Sequence, residues 1–404
     1  MTAPSTLSRR GALAAGGGLL ASLAAAGLSP DRVRPEMRLD STVPTGSWPV
    51  RKRDPRRTGY QPEPGPRTGA SVRWRFLTPR DPIVSPGVVA TPEQVLAVRP
   101  SSTFALRPDD GSLVWQTGHR ERDPIGRDAS TEFVQSGPQL AAGHALTVAD
   151  VSLYGLDAGT GNGDWAYATN SSFREVLAVG NTVFLGSLVD GTDRLVALSV
   201  ETGLPYWTAE TVAVPLAYAP DDGILLTARQ PAGADNGVLQ GRDPDTGAVE
   251  WTTDRLDLPF LDVTAPAVVD GSVFVANGPV YAFDAADGSE LWRAPFDTED
   301  LRGPVTDGDR VYVTNDRGVV ALDAATGGER WVADLPDRGF ATSAIADDRL
   351  YVPVDDGVTA LATGDGTRVF DVSFPGGEPS GMAVADGVLY VRNERGVFAL
   401  EGDR

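Results

Sequence analysis

The chain has 404 residues and no cysteine, which excludes disulfides, thiolate zinc sites, iron–sulfur clusters and thiol catalysis. Two histidines, His119 and His144, are too few for a multi-histidine metal centre, and 46 Gly with 31 Pro argue against a helical bundle. The length exceeds one ordinary core unless the fold is built from repeats. The formal charge of −20 is unevenly placed: residues 1–80 hold fourteen Lys and Arg against five acids, and residues 81–404 hold 21 Arg against 50 acids. Such an acidic body lacks the basic footprint that nucleic acid or an anionic membrane surface requires.

Residues 1–28 read as an export signal. Ser8-Arg9-Arg10-Gly11 opens a run from 11 to 28 made only of Ala, Gly, Leu and Ser. The arginine pair resembles a twin-arginine signal, which exports folded proteins, although Ala12 stands where that pattern has Phe. No cysteine follows for a lipid anchor, and membrane association is expected only through an uncleaved signal. The expected location is therefore extracellular or at the cell surface. Residues 29–70 are rich in Pro, Arg and Gly and read as an arm or linker. Their basic stretch, Arg51-Lys52-Arg53 with Arg56-Arg57, suits either an acidic partner or the protein's own acidic body.

From residue 71 onward the chain repeats itself. Ala282-Phe283-Asp284 leading through Asp287-Gly288 to Trp292 recurs as Ala321-Leu322-Asp323 leading through Thr326-Gly327 to Trp331. Related copies end at Trp115, Trp165, Trp207, Trp251 and Phe370, and Trp74 is an aromatic without a preceding copy. Spacings of 41, 50, 42, 44, 41, 39 and 39 residues separate these eight aromatics. About 40 residues is the length of four short strands with tight turns, so one period is one small antiparallel sheet. The last copy, Val397-Phe398-Ala399-Leu400, stops before its aromatic. Pairing it with the strand around Trp74 completes an eighth sheet and removes an exposed edge. The expected fold is all-β, an eight-bladed β-propeller over 71–404, closed by its N- and C-terminal strands and monomeric; seven blades would require one spacing to be an insertion.

The repeat resembles the tryptophan-docking motif of the PQQ-like, quinoprotein-type propellers, Ala-x-Asp-x-x-Thr-Gly-x-x-x-Trp. The resemblance implies that Trp74, Trp115, Trp165, Trp207, Trp251, Trp292, Trp331 and Phe370 dock each blade onto the next. The segment from Trp48-Pro49 through Asp54-Pro55 to Thr58-Gly59-Tyr60 also looks like the leader of exported haloarchaeal members. Two functions follow from the resemblance. Quinoprotein dehydrogenases hold PQQ with calcium over the axis, often under a cap of adjacent cysteines that this chain lacks. No base, calcium ligand or stacking Trp maps onto this sequence, so no catalytic residue is assigned. The BamB-like branch implies a cofactor-free scaffold that binds an envelope or secreted protein, and this is the expected function. The expected contact surface is the long insertion at 116–137, with His119, Arg120, Arg122 and Arg127, together with Phe260 in the loop 252–264.

Abundant Asp with a single lysine, Lys52, resembles proteins of salt-saturated cells. Self-repulsion of such a body is screened at a Debye length of about 3 Å in 1 M salt and far less at about 10 Å in 0.1 M. The protein is therefore expected to loosen on transfer from 3 M to 50 mM salt (trial concentrations, on the order of that screening range). Circular dichroism that stays the same between the two would remove the argument.

Overall fold

A computed structural model describes residues 34–78, 87–99, 102–118, 137–149, 152–168, 175–189, 192–229, 237–254, 256, 265–276, 278–296, 301–315, 317–335 and 341–402. Short alternating strands separated by Asp-Gly and Gly-Asn turns form antiparallel meanders, and eight such sheets are present, with no helix among the described residues. One blade shows the plan: Arg302–Thr306 lies innermost, followed by Arg310–Asn315, Gly318–Asp323 and the outer strand Glu329–Asp334. The inner strand Val214–Ala219 is buried along its length, whereas the outer strand Glu329–Asp334 alternates between exposed and buried residues. The final blade takes Gly381–Ala385, Val388–Asn393 and Gly396–Gly402 from the C-terminus and Ala70–Leu77 from the N-terminal side. The ring therefore closes by antiparallel pairing of residues 70–77 with 396–402. This is the eight-bladed propeller that the aromatic spacing predicts.

Each repeat residue has a separate physical task. Ala105, Ala197, Ala282, Ala321 and Ala399 stand opposite Trp115, Trp207, Trp292, Trp331 and Trp74, and Ala360 stands opposite Phe370. Gly155 and Gly241 hold that position against Trp165 and Trp251, where a Cβ would lie 2.1–2.2 Å from the ring. A bulge follows at the same point of every repeat and swings the indole toward the neighbouring blade. There its Nε1–H donates to a backbone carbonyl at 2.7–3.0 Å: Pro108, Ala158, Val200, Pro244, Ala285, Ala324 and Thr363 in turn from Trp74 to Trp331. Phe370 lacks this donor and packs on Tyr351, with ring centroids 6.4 Å apart.

The ring face lies on the glycine of the neighbour's turn. Gly111, Gly161, Gly203, Gly247, Gly288, Gly327 and Gly366 have φ between +69° and +75°, and a Cβ at any of them would come within 2.4–2.7 Å of the indole. Both the left-handed backbone and the contact therefore require glycine. The Asp and Thr of the motif are spent within the same turn: Oδ1 of Asp157, Asp243 and Asp323 accepts from the backbone N–H and hydroxyl of Thr160, Thr246 and Thr326. The Thr326 hydroxyl, aided by Arg330, holds the Asp323 carboxyl down at about 2. These carboxylates are turn caps.

Trp292→Ala should lower the unfolding free energy by about 3–5 kcal/mol, read by denaturant titration. An unchanged midpoint would deny the docking role. Two glycines of one turn provide a matched pair, because a Cβ at Gly364 meets nothing within 4 Å. Gly366→Ala should cost about 2 kcal/mol or more, and Gly364→Ala should stay within about 0.5 kcal/mol.

Candidate functional site at the propeller axis

Within a blade, every strand except the two edges is paired on both sides. The inner edge faces the axis with backbone N–H and C=O groups left over, and burial there demands partners for them. The chain supplies its own. Inner-strand N–H groups donate to carbonyls of one N-terminal segment: Ala90 to Trp48, Leu140 to Pro49, Tyr218 to Pro55, Val268 to Arg56, Thr306 to Thr58, and Ile345 to Gly59, at 2.7–3.0 Å. Asn181 donates to the Arg38 carbonyl and Asp386 to that of Gly46, so all eight blades bond to residues 38–59. Tyr60–Gln61 then adds a parallel fifth strand to one blade beside Ala344–Ala346. Pro49 and Pro55 suit the task, because proline offers a carbonyl and brings no N–H needing a partner.

The segment holds its shape through a local knot. Asp54 and Gly59 both donate their N–H to the Lys52 carbonyl, and Arg57 donates to that of Asp54. The Asp54 carboxylate accepts from the Thr58 N–H and hydroxyl. Lys52, Arg53 and Arg57 take φ of 55°, 71° and 62°, left-handed conformations that only a well-bonded turn sustains in residues other than glycine.

Two cations point inward from this knot to the inner-strand carbonyls. Lys52, 4% exposed, donates through Nζ to Ala265 O at 2.5 Å and Pro304 O at 2.7 Å. Arg57 is fully buried and donates to the carbonyls of Leu216, Arg51 and Val176 and to the Glu175 carboxylate at 3.2 Å. Arg51 reaches the other oxygen of Glu175 at 3.1 Å. Burial pushes Arg57 down to about 10, against the pull of Glu175. Burial also drives Lys52 well below the usual lysine range, helped by the like charges of Arg51 and Arg57. Asp54 rises above the usual carboxylate range through burial, opposed by Thr58. Arg56 pairs with Asp221 nearer the surface.

Residues 36–61, read from the sequence as part of an arm or linker, thus lie across the axis. The sequence-predicted contact residues His119, Arg120, Arg122, Arg127 and Phe260 fall outside the described residues. Of the predicted loops, 116–118 and Thr252 continue outer strands. Glu175 and the carbonyl partners of Lys52 carry no sequence signal, but a chain with one lysine among 35 cationic residues does single out Lys52. Beside the knot a groove of about 600 Å³ runs between segment 38–50 and the first turns of three blades, with Pro44, Pro49, Leu140, Glu93 and His144 in its wall. At this mouth residues 48–61 bond across the inner strands, with Lys52 and Arg57 directed to their carbonyls.

Comparison with known proteins agrees with the repeat. Residues 65–189, 174–279 and 276–403 match the family model described as outer membrane protein assembly factor BamB. A protein of that name from Burkholderia pseudomallei is 30% identical over 219 residues, covering 51% of this chain and 53% of the relative. Its namesake from Yersinia pestis is 25% identical over 229 residues, covering 53% and 57%. The chain thus aligns with little more than half the length of these relatives. Among solved structures, BamB from Moraxella catarrhalis superposes with a TM-score of 0.61 at 22% identity, over 83% of this chain and 98% of that one. A quinohemoprotein alcohol dehydrogenase from Pseudomonas putida HK5 superposes at 0.64 with 15% identity, over 88% and 80%. Both likenesses concern the fold.

Glu175→Ala should destabilise the protein by about 3 kcal/mol or more, because it leaves buried Arg57 without its carboxylate. Arg56→Ala, which breaks a partly exposed pair, should cost under about 1 kcal/mol. Equal losses in parallel denaturant titrations would mean that the axial charges are not set by burial.

Proposed function

The chain belongs to the BamB family of PQQ-type repeat propellers, and from that premise we propose that it is a non-catalytic scaffold, exported to the cell surface, that binds an envelope or secreted protein. The observation that carries the reading is the axis itself. One mouth is occupied by residues 38–61, bonded to every blade, so the surfaces left to a partner on that side are the rims and the groove. A ring tied at its centre and zipped at its seam is a rigid disc, suited to presenting loops to a partner. The relatives named as assembly factors support protein contact as the mode of action.

The finer parts of the proposal rest on the sequence. Arg9-Arg10 ahead of the small-residue run supports twin-arginine export, and the Asp-rich, lysine-poor body supports a haloarchaeal-type source. The contact loops at 116–137 and 252–264, with His119, Arg120, Arg122, Arg127 and Phe260, remain the proposed partner surface. No cofactor is needed for this role. PQQ-dependent dehydrogenation is the competing function, because solved dehydrogenases share the fold.

A photo-crosslinking residue at position 122, introduced in the native cell, should capture one defined envelope or secreted protein. Lys at both 9 and 10 should retain the protein in the cytoplasm. Titration with PQQ and Ca²⁺ in molar salt should give no saturable binding and no dye reduction with alcohols or sugars. Saturable binding with turnover would replace the scaffold reading with an enzyme.

A further inference from the structure

One blade carries a charge where the others carry a hydrocarbon. The residue that follows the small partner of each docking aromatic is buried Leu or Phe elsewhere in the ring, as at Leu106, Phe283, Leu322 and Leu400. In the blade built from Val214–Ala219, Ile224–Arg229, Val238–Arg242 and Val249–Thr252 it is Arg242, next after Gly241 and 3% exposed. Its register partner Leu225 packs with Phe184 and Leu195 of the preceding blade. Partners across a ladder share a face, so Arg242 stands at the joint between the two blades.

The acceptors around Arg242 are neutral. Nε–H donates to Thr227 Oγ1 at 3.2 Å, Nη1–H to Gly247 O at 2.8 Å and Nη2–H to Gln240 Oε1 at 2.7 Å. Gln240 is itself oriented by its Nε2–H bond to Thr252 Oγ1 at 3.1 Å. A guanidinium has five N–H donors, so two are left over. The charged group acting on Arg242 is a second cation, Arg229, which shares the strand face of Thr227 two residues away. The Nε of Arg229 is buried and has no hydrogen-bond partner. Burial, with the like charge of Arg229, holds Arg242 below the usual arginine range, and the group still stays charged, as arginine does in proteins. Among the described residues no carboxylate meets either guanidinium, and uncompensated buried charge is costly.

We propose that Arg229 and Arg242 form a site for a small oxyanion, a free carboxylate or phosphate, at the joint between these two blades. The planar donor forks match the paired oxygens of such an anion. Three acceptors fix the Arg242 fork in place, and Arg229, only partly buried, gives the site its access to solvent. The site does not depend on the scaffold reading.

The test uses the full chain, with inorganic phosphate and acetate as separate probes and sodium chloride adjusted to hold ionic strength constant. The wild-type melting temperature should rise saturably by a few degrees with at least one probe, because a ligand of the folded state stabilises by mass action. The probe that acts identifies the anion as phosphate or carboxylate. Arg242→Leu installs the residue that other blades carry, so it should fold and show no saturable rise. Arg229→Gln should weaken binding about tenfold or more. A wild type without a saturable rise would overturn the site, and so would a rise shared equally by Arg242→Leu, which marks a general salt effect. If Arg242→Leu does not fold, Arg229→Gln decides: an unchanged response refutes the proposal.

Discussion

A ring of eight sheets concentrates eight unpaired backbone edges on one line, and the rest of this structure answers that constraint. Water would satisfy those groups in an open channel. Here a single segment does so at one mouth, offering carbonyls to the inner N–H groups and cationic side chains to the inner C=O groups. Such bonds add little net energy one by one, but an unmade one in a buried place is costly. The left-handed residues of the knot are tolerable for the same reason, since the surrounding bonds leave them no alternative.

The tryptophan dock works at the opposite end of each blade from this edge. It is dominated by apolar contact and by the fit of a flat ring on a glycine, with one N–H bond to set direction. The two devices divide the work. The indoles fix the angle between one blade and its neighbour, and the axial segment ties all eight to a common centre.

Legibility in the sequence follows from this division. The docks could be read because they demand specific side chains at fixed spacing: an indole at 292, a small residue at 282, a glycine at 327. Closure could be read because the copy ending at Leu400 lacks its aromatic and Trp74 lacks its copy. The axial role of residues 36–61 stayed hidden because most of its bonds use the backbone carbonyls of residues such as Pro49, Pro55 and Gly59, which any sequence carries. Prolines and glycines without apolar periodicity look the same in a linker and in a segment stitched to a sheet edge. Lys52 alone stood out by type, and its partners Ala265 and Pro304 contribute only main-chain oxygen.

The seam has a consequence for biosynthesis. Residues 70–77 are made long before residues 396–402, the strand they pair with. Until residues 396–402 are made, the strand at 70–77 waits unpaired, and Val72 and Leu77 stay exposed even in the folded ring. Nascent chains and premature termination products therefore carry an open edge capable of pairing with other chains. That edge is paired only once residues 396–402 have joined it, so completing the last blade also closes the ring.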